Sequence, residues 1–285
     1  MRNDDMGLKI VAGGSGVGKS TFAYQKIIEK SIQHPERNYI IVVPEQYTMA
    51  TQKKLVYMHP NKGILNIDVV SFERLAYKVF EEVGGQNRPV LDDTGKNLIV
   101  RKVLEEHKKS LHYFGSSINK IGFVSELKSV ISELLQYNIS VDNIGEIAVK
   151  SADNQLLTAK LQDLNIIYRS FMDYLSDNYI TSEEILDVLC QVIDKSSIIK
   201  KSEIVFDGFT GFTPIQYNLM VLLLQLCHQI TVTVTIDAKE KLNVMEGMHN
   251  LFFMSKEMVQ KLYRLCDEAH IDILEPVLMN KNSNP

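Results

Sequence analysis

Apolar residues recur along this chain in two rhythms, and the change from one to the other divides it. Leu8, Ile10, Val11 and Ala12 form a short apolar run ending at Gly13, and Tyr39-Ile40-Ile41-Val42-Val43 forms a second, closed by Pro44. The first run predicts a buried strand, and the second, rich in β-branched residues, a strand buried on both faces of a parallel sheet. Between them, Thr21 to Ile28 predicts a helix, and another is predicted to start at Glu45-Gln46-Tyr47-Thr48, past the carboxyl end of the second strand. The apolar segment from Ile64 to Val70 leads into a helix from Ser71 to Phe80, for which Ser71 is the expected cap.

Gly84-Gly85-Gln86-Asn87-Arg88-Pro89 then marks a boundary, and from there to about residue 200 the apolar spacing is helical. Leu157, Leu161, Leu164, Tyr168, Phe171 and Leu175 alternate steps of four and three. Phe123, Leu127, Val130, Ile131 and Leu134 give a second helix, and Thr181-Ser182-Glu183-Glu184 has the form of a capping box for a third. Strand patterning returns at Glu203–Gly208 and Ile230–Ile236, with a helix from about Pro214 to His228 between them. Strand–helix alternation on both sides of a helical block predicts an α/β parallel-sheet domain, residues 1–85 and 200–275, interrupted by an all-helical subdomain, residues 86–199. Residues 276–285 read as a polar tail or truncated linker.

Composition narrows this little. The chain has 285 residues, 45% of them hydrophobic, enough for one large or two modest domains. A net charge of -4 argues against binding nucleic acid through bulk electrostatics, so any such contact is local or shared with a partner. The three cysteines, Cys190, Cys227 and Cys266, form no C-x-x-C pair, which argues against a disulfide framework or a zinc or iron–sulfur site in these residues. The longest apolar stretch, Leu219 to Cys227, is about half of what a membrane span needs, and Met1 to Asp5 lacks the apolar core of a signal peptide. The expectation is no membrane contact and a cytoplasmic protein.

Candidate chemistry concentrates between the first strand and first helix. Gly13-Gly14-Ser15-Gly16-Val17-Gly18-Lys19-Ser20 fits the pattern G-x-x-x-x-G-K-[ST] of a phosphate-binding loop, in the required strand–loop–helix context. Gly13, Gly14, Ser15, Gly16 and Gly18 are expected to let the backbone take positive φ angles, so that successive amides face phosphate oxygens at the positive end of the helix. Lys19 supplies a charge for the β and γ phosphates of ATP, Ser20 a hydroxyl for Mg²⁺, and Thr21 a bond to the α phosphate. Asp207, after Ile204-Val205-Phe206, is the candidate for the second Mg²⁺ contact, and Gln216 for orienting a water or sensing the γ phosphate. In helicases and many ATPases a glutamate follows that aspartate; here it is Gly208, which predicts ATP binding with weak or no hydrolysis. A P-loop kinase of a small molecule or nucleotide is the alternative, although the helical block offers only Arg88, Arg101 and Arg169, widely spaced, for a phosphate lid.

Several stretches together resemble one family. Besides the loop, they are Val43-Pro44-Glu45-Gln46-Tyr47-Thr48, Val70-Ser71-Phe72-Glu73-Arg74-Leu75-Ala76-Tyr77, Leu91 with Thr94-Gly95 and Leu98 to Arg101, Gly122-Phe123-Val124, and Asp207-Gly208-Phe209-Thr210-Gly211-Phe212-Thr213-Pro214. In this order and spacing they resemble AddB/RexB, the B subunit of the AddAB-type ATP-dependent helicase/deoxyribonuclease of Gram-positive bacteria. The resemblance covers nearly the whole chain. It implies a RecA-like, superfamily-1 helicase domain 1A interrupted by a helical domain 1B, in a protein that processes double-strand breaks for recombinational repair as a heterodimer with an A-subunit motor. It further implies that the chain scans the single strand for a recombination hotspot with Gln46, Thr48, Ser71, Phe72, Arg74, Tyr77 and Phe212.

The chemistry of those residues suits scanning of this kind. Phe72, Tyr77 and Phe212 can stack on unpaired bases, and Arg74, Gln46 and Thr48 can bond base edges or phosphate. Read from the residues alone, Phe72 and Phe212 equally suit core aromatics at strand ends, and Arg74 a solvated helix position. Family members can carry tryptophan at the position of Tyr77. They also continue into a second helicase-like region and a nuclease domain with an iron–sulfur cluster, neither of which is in this sequence, so the expectation is an N-terminal fragment without nuclease chemistry of its own.

Overall fold

The computed structural model describes residues 7–85, 88–176, 178–237, 242, 247 and 249–280. In chain order the elements are β1 (Gly7–Gly13), α1 (Lys19–Gln33), β2 (Asn38–Val42), α2 (Thr48–Met58), β3 (Ile67–Val70), α3 (Phe72–Val83), β4 (Val90–Leu91) and α4 (Asp93–His107). There follow α5 (Phe123–Gln136), α6 (Val141–Lys150), α7 (Gln155–Leu175), β5 (Ile180–Thr181), α8 (Ile185–Val192), α9 (Ser197–Lys200), β6 (Ser202–Phe206), α10 (Pro214–Leu226), β7 (Gln229–Thr235), α11 (Phe253–Ala269) and β8 (Val277–Met279). Two compact units result, one made of the chain up to Gly85 and from Leu189 onward, the other of Gln86–Val188.

The first unit is built on a parallel sheet of six strands in the order β3-β2-β6-β7-β1-β8. Its central strands carry apolar stretches because both faces are covered: Tyr39, Ile40, Ile41 and Val42 have no exposed surface, and Ile204, Val205 and Phe206 almost none. On one face α1 and α2 bury Ala23, Tyr24, Ile27, Ile28 and Leu55 against Tyr39, Ile41, Val43, Ile67 and Val205. The links from β6 through α10 to β7 and from β7 through α11 to β8 run the other way across the sheet, and right-handed crossovers therefore put α10 and α11 on the opposite face.

Register determines where the loops emerge. Gly13 ends β1 opposite Thr235, and Val42 ends β2 opposite both Phe206 and Val70. The segments after β1, β2, β3 and β6 thus leave from one edge, the carboxyl edge of the strands, where ligands of open parallel sheets collect. The point where the chain leaves this unit is tied to the point where it returns: Glu82 of α3 accepts from Ser196 Oγ (2.5 Å), Ser197 N (2.8 Å) and Ser197 Oγ (2.6 Å).

One sheet element differs from the pattern-based expectation. The segment from residue 276, read as a tail, contributes β8, which pairs with β1 and buries Met279. Its three residues are too few for periodicity to register; what makes them a strand is the open edge of β1. β3 forms despite Asp68 because it is the opposite edge strand, where Asp68 can pair with Lys78 of α3 at 2.9 Å.

The second unit packs α4, α5, α6 and α7 around Ile99, Val103, Leu104, Leu127, Ile131, Ile144, Ile167 and Phe171, with β4 and β5 as a short parallel pair. Two buried charges organise it. Asp163 of α7 has no exposed surface and accepts from the amides of His112 (3.0 Å), Tyr113 (2.8 Å) and Phe114 (2.7 Å). Lys96 of α4, also fully enclosed, donates to Glu183 at 2.9 Å. The expected capping box is present: Thr181 N donates to Glu184 Oε2 (2.8 Å) and Glu184 N to Thr181 Oγ1 (3.3 Å), ahead of α8.

Candidate nucleotide site and its rim

Gly18 stands as the N-cap of α1 with φ of 92°, and Gly16 has φ of 77°. Of the loop's four glycines these two have positive φ; Gly13 and Gly14 do not. Gly13 is required for a different reason: it ends β1, and a Cβ there would come within 2.5 Å of the Met279 carbonyl oxygen on β8 and 2.9 Å of Val17 Cγ2. Since α1 starts at Lys19, the amides of Lys19, Ser20 and Thr21 have no acceptor within their own helix and face the carboxyl edge of the sheet.

The side chains are already drawn together. Lys19 is buried, its ammonium donating to the carbonyl of Gly14 at 2.7 Å, and burial lowers its pKa against the opposing pull of the Asp207 charge. Ser20 Oγ donates to Asp207 Oδ1 at 2.9 Å, joining the first turn of α1 to the end of β6 across the intervening β7. Thr233 of β7 donates to the same oxygen at 2.5 Å, and the Tyr24 hydroxyl to Oδ2 at 2.5 Å. Burial and then the Asp207 charge push the Tyr24 phenol well above its ordinary pKa, so it stays a donor. Asp207 is thus a buried carboxylate held by three hydroxyls at the mouth of the loop. A carboxylate and a serine hydroxyl in hydrogen-bond contact are hard oxygen ligands, a donor set that fits Mg²⁺ carried in with a nucleotide.

Beyond Asp207, Gly208 has φ of 84°. Gln216 lies on α10, where its Oε1 accepts from the Thr213 amide at 3.0 Å and caps the helix.

The other candidates line the same edge in different ways. Gln46 is exposed in the turn before α2. Thr48 is buried and its hydroxyl donates to the Glu45 carbonyl at 2.9 Å. Ser71 caps α3, accepting from the Arg74 amide at 3.3 Å. Arg74 is exposed and paired with Glu45 at 2.8 Å. Phe72 is buried, its ring 5.6 Å from that of Phe206, 5.4 Å from Phe209 and 6.1 Å from Phe212. Phe212 is half-buried and stacks at 5.2 Å on Phe209, while Tyr77 packs edge-on to Phe80 at 6.3 Å. One aromatic cluster therefore starts directly behind Asp207 and ends at the rim.

Sequence reasoning missed Tyr24, Thr233, Glu45 and Phe209. Tyr24 was within reach, being one helical turn after Ser20 and so on the same face. Phe209 lies inside a stretch already singled out. Thr233 depends on which strand falls between β6 and β1, and nothing local carries that.

A parallel sheet covered on both faces, with a glycine loop and helix after one strand and a hydroxyl-bound carboxylate after another, defines an α/β protein with a candidate site at its carboxyl edge. More particularly, the chain belongs to the ADDB N-terminal family, whose sequence model matches residues 10–284. It is 48% identical over 274 residues to the B subunit of the ATP-dependent helicase/deoxyribonuclease of Lachnoclostridium phytofermentans, covering 96% of this chain and 24% of that protein. The proteins of the same name from Clostridium kluyveri and Clostridioides difficile are each 34% identical, over 95% and 96% of this chain and again 24% of their own length. The chain thus spans about a quarter of the length of these relatives. Among the described residues no helix is long and apolar enough to cross a membrane.

Proposed function

We propose that this chain is the ATP-binding, single-strand-scanning part of a helicase/deoxyribonuclease B subunit that works with an A subunit on broken DNA ends. The observation that carries the reading is the 2.9 Å contact between Ser20 and Asp207, which sets the phosphate-binding loop beside a carboxylate at the end of β6 in a chain of this family. In a P-loop NTPase the amides of Lys19, Ser20 and Thr21 would hold phosphate oxygens and Lys19 would turn from Gly14 to the β and γ phosphates. Ser20 and Asp207 would hold Mg²⁺, which neutralises phosphate charge. Gly208 gives the site no base for water, so it acts as a binding site with little turnover, and ATP serves occupancy rather than movement.

Single-stranded DNA would lie along the rim formed by Gln46, Arg74, Tyr77 and the Phe209–Phe212 end of the aromatic cluster. Arg74, held by Glu45, is positioned to bond a base edge or phosphate. Base stacking on Phe212 or Tyr77 would be worth about 1–3 kcal/mol per base. Phe72, enclosed by three other rings, would support Phe212 from behind.

The test is fluorescence anisotropy with a labelled ATP analogue and, separately, labelled single strands. Lys19→Ala should abolish nucleotide binding and leave DNA binding in place. Arg74→Ala and Phe212→Ala should weaken DNA binding and leave nucleotide binding in place. Nucleotide binding unaffected by Lys19→Ala, or DNA binding indifferent to both rim substitutions, would overturn the corresponding half of the proposal.

A further inference from the structure

A second lysine stands at the loop without belonging to its motif. Lys54 lies on α2, and its ammonium donates to Thr21 Oγ1 at 2.9 Å while standing 5.3 Å from the centre of the Tyr24 ring. Thr21 is the third residue of α1, one of the three whose amides face the carboxyl edge without an intrahelical acceptor.

The environment of Lys54 contrasts with that of its neighbours. Lys26 and Lys30, on α1, are paired with Glu29 at 2.7 Å and Glu203 at 2.6 Å. Lys53, next in sequence, turns away toward Tyr57. Lys54 is exposed and, among the described residues, has a hydroxyl and an aromatic face as partners rather than a carboxylate. An exposed lysine loses rotamer freedom when it folds back on a neutral hydroxyl, and that contact returns little. A charge left uncompensated in this position lies against the helix turn where anionic phosphates would rest.

We propose that Lys54 is a second cationic ligand for the phosphates of the bound nucleotide, reaching them from α2 while Lys19 reaches them from within the loop. The inference rests on the reading of residues 13–20 as a nucleotide site. On binding, the Lys54 ammonium exchanges the Thr21 hydroxyl for a phosphate oxygen, and the hydroxyl is released to make its own phosphate contact. The attraction is electrostatic and partly exposed, so it weakens with salt and grows with the number of phosphate charges.

The experiment titrates a fluorescent ATP analogue into the purified chain, with ATP, ADP and AMP as competitors at low and moderate salt, for wild type, Lys54→Met, Lys54→Arg and Lys19→Ala. Lys54→Met keeps the apolar stem and removes the charge. It should weaken ATP binding by about 2- to 5-fold, the range for an exposed ion pair, weaken AMP binding less, and flatten the salt dependence. Lys54→Arg should stay within about twofold of wild type. If Lys54→Met binds ATP as wild type does while Lys19→Ala does not bind it, the proposal falls and the nucleotide site stands. If wild type itself binds no nucleotide, the site reading falls and this proposal with it.

Discussion

Gly208 is the position at which the lack of a side chain can be separated from the shape of the backbone. Its φ of 84° lies in the left-handed region, where an L side chain brings Cβ against the following carbonyl at a cost of roughly 1–2 kcal/mol. Space is not the obstacle: a Cβ at this position would lie 3.5 Å from Pro44 Cδ and 4.0 Å from Tyr47 Cδ2, ordinary van der Waals distances. Gly208→Ala should therefore destabilise the sheet unit by about 1–2 kcal/mol through the backbone alone. Gly208→Asn should recover about half of that, because asparagine tolerates left-handed backbone better. Gly208→Glu should cost about what alanine does and create no ATPase, since its carboxylate would stand on a backbone strained by the left-handed φ. Urea unfolding measures the first two effects, and phosphate release with and without single-stranded DNA measures the third. An alanine variant as stable as wild type would refute the left-handed geometry. A glutamate variant that gained steady ATP turnover would refute the argument that the backbone, and not only the residue type, withholds a base from this site.

Asp163→Ala should cost the helical unit about 3–5 kcal/mol, since a buried carboxylate accepting from three backbone amides leaves all three without acceptors; Asp163→Asn should cost less, and hydrogen exchange at residues 112–114 should accelerate in both. Nucleotide affinity should fall with rising pH before an ordinary lysine of pKa 10.5 would lose its proton, because burial lowers the pKa of Lys19 and phosphate binding needs the ammonium. Stability should move the opposite way in that window, since the unfolded chain then holds the proton that the folded chain has lost and unfolding becomes harder as pH rises.

The sheet was legible where residues carry their own instructions. β1 and β2 coincide with the short apolar runs, and β6 and β7 with the strand patterning at 203–208 and 230–236, because buried strands demand such residues. Ser71 and Thr181 were readable as caps because the residues that complete those caps lie three positions away. What escaped was non-local. β8 is a strand because β1 has a free edge, and β4 and β5 are two residues each, shorter than any period. Asp163 and Lys96 carry no local sign of their burial; their partners, the amides of residues 112–114 and the Glu183 carboxylate, lie about fifty and ninety positions away.

The same distinction runs through the candidate site and explains how its parts depend on one another. The loop from Gly13 to Ser20 is a local pattern, yet the two ends of that pattern answer to different neighbours: Gly13 to the Met279 carbonyl on β8, Ser20 to Asp207 on β6. Asp207 also takes hydroxyls from Tyr24 and Thr233, so α1, β6 and β7 meet at one carboxylate. Two residues later Phe209 is locked between Phe72 and Phe212, and three residues before α2 the Glu45 carboxylate holds Arg74. A motif read along the chain names the phosphate contacts, but the distance from Ser20 to the rim aromatics is covered by the short segment 207–212. A ligand that pulls Ser20 from Asp207 removes one of the three hydroxyls on that carboxylate and leaves Tyr24 and Thr233 holding it, two residues from the ring that packs on Phe72.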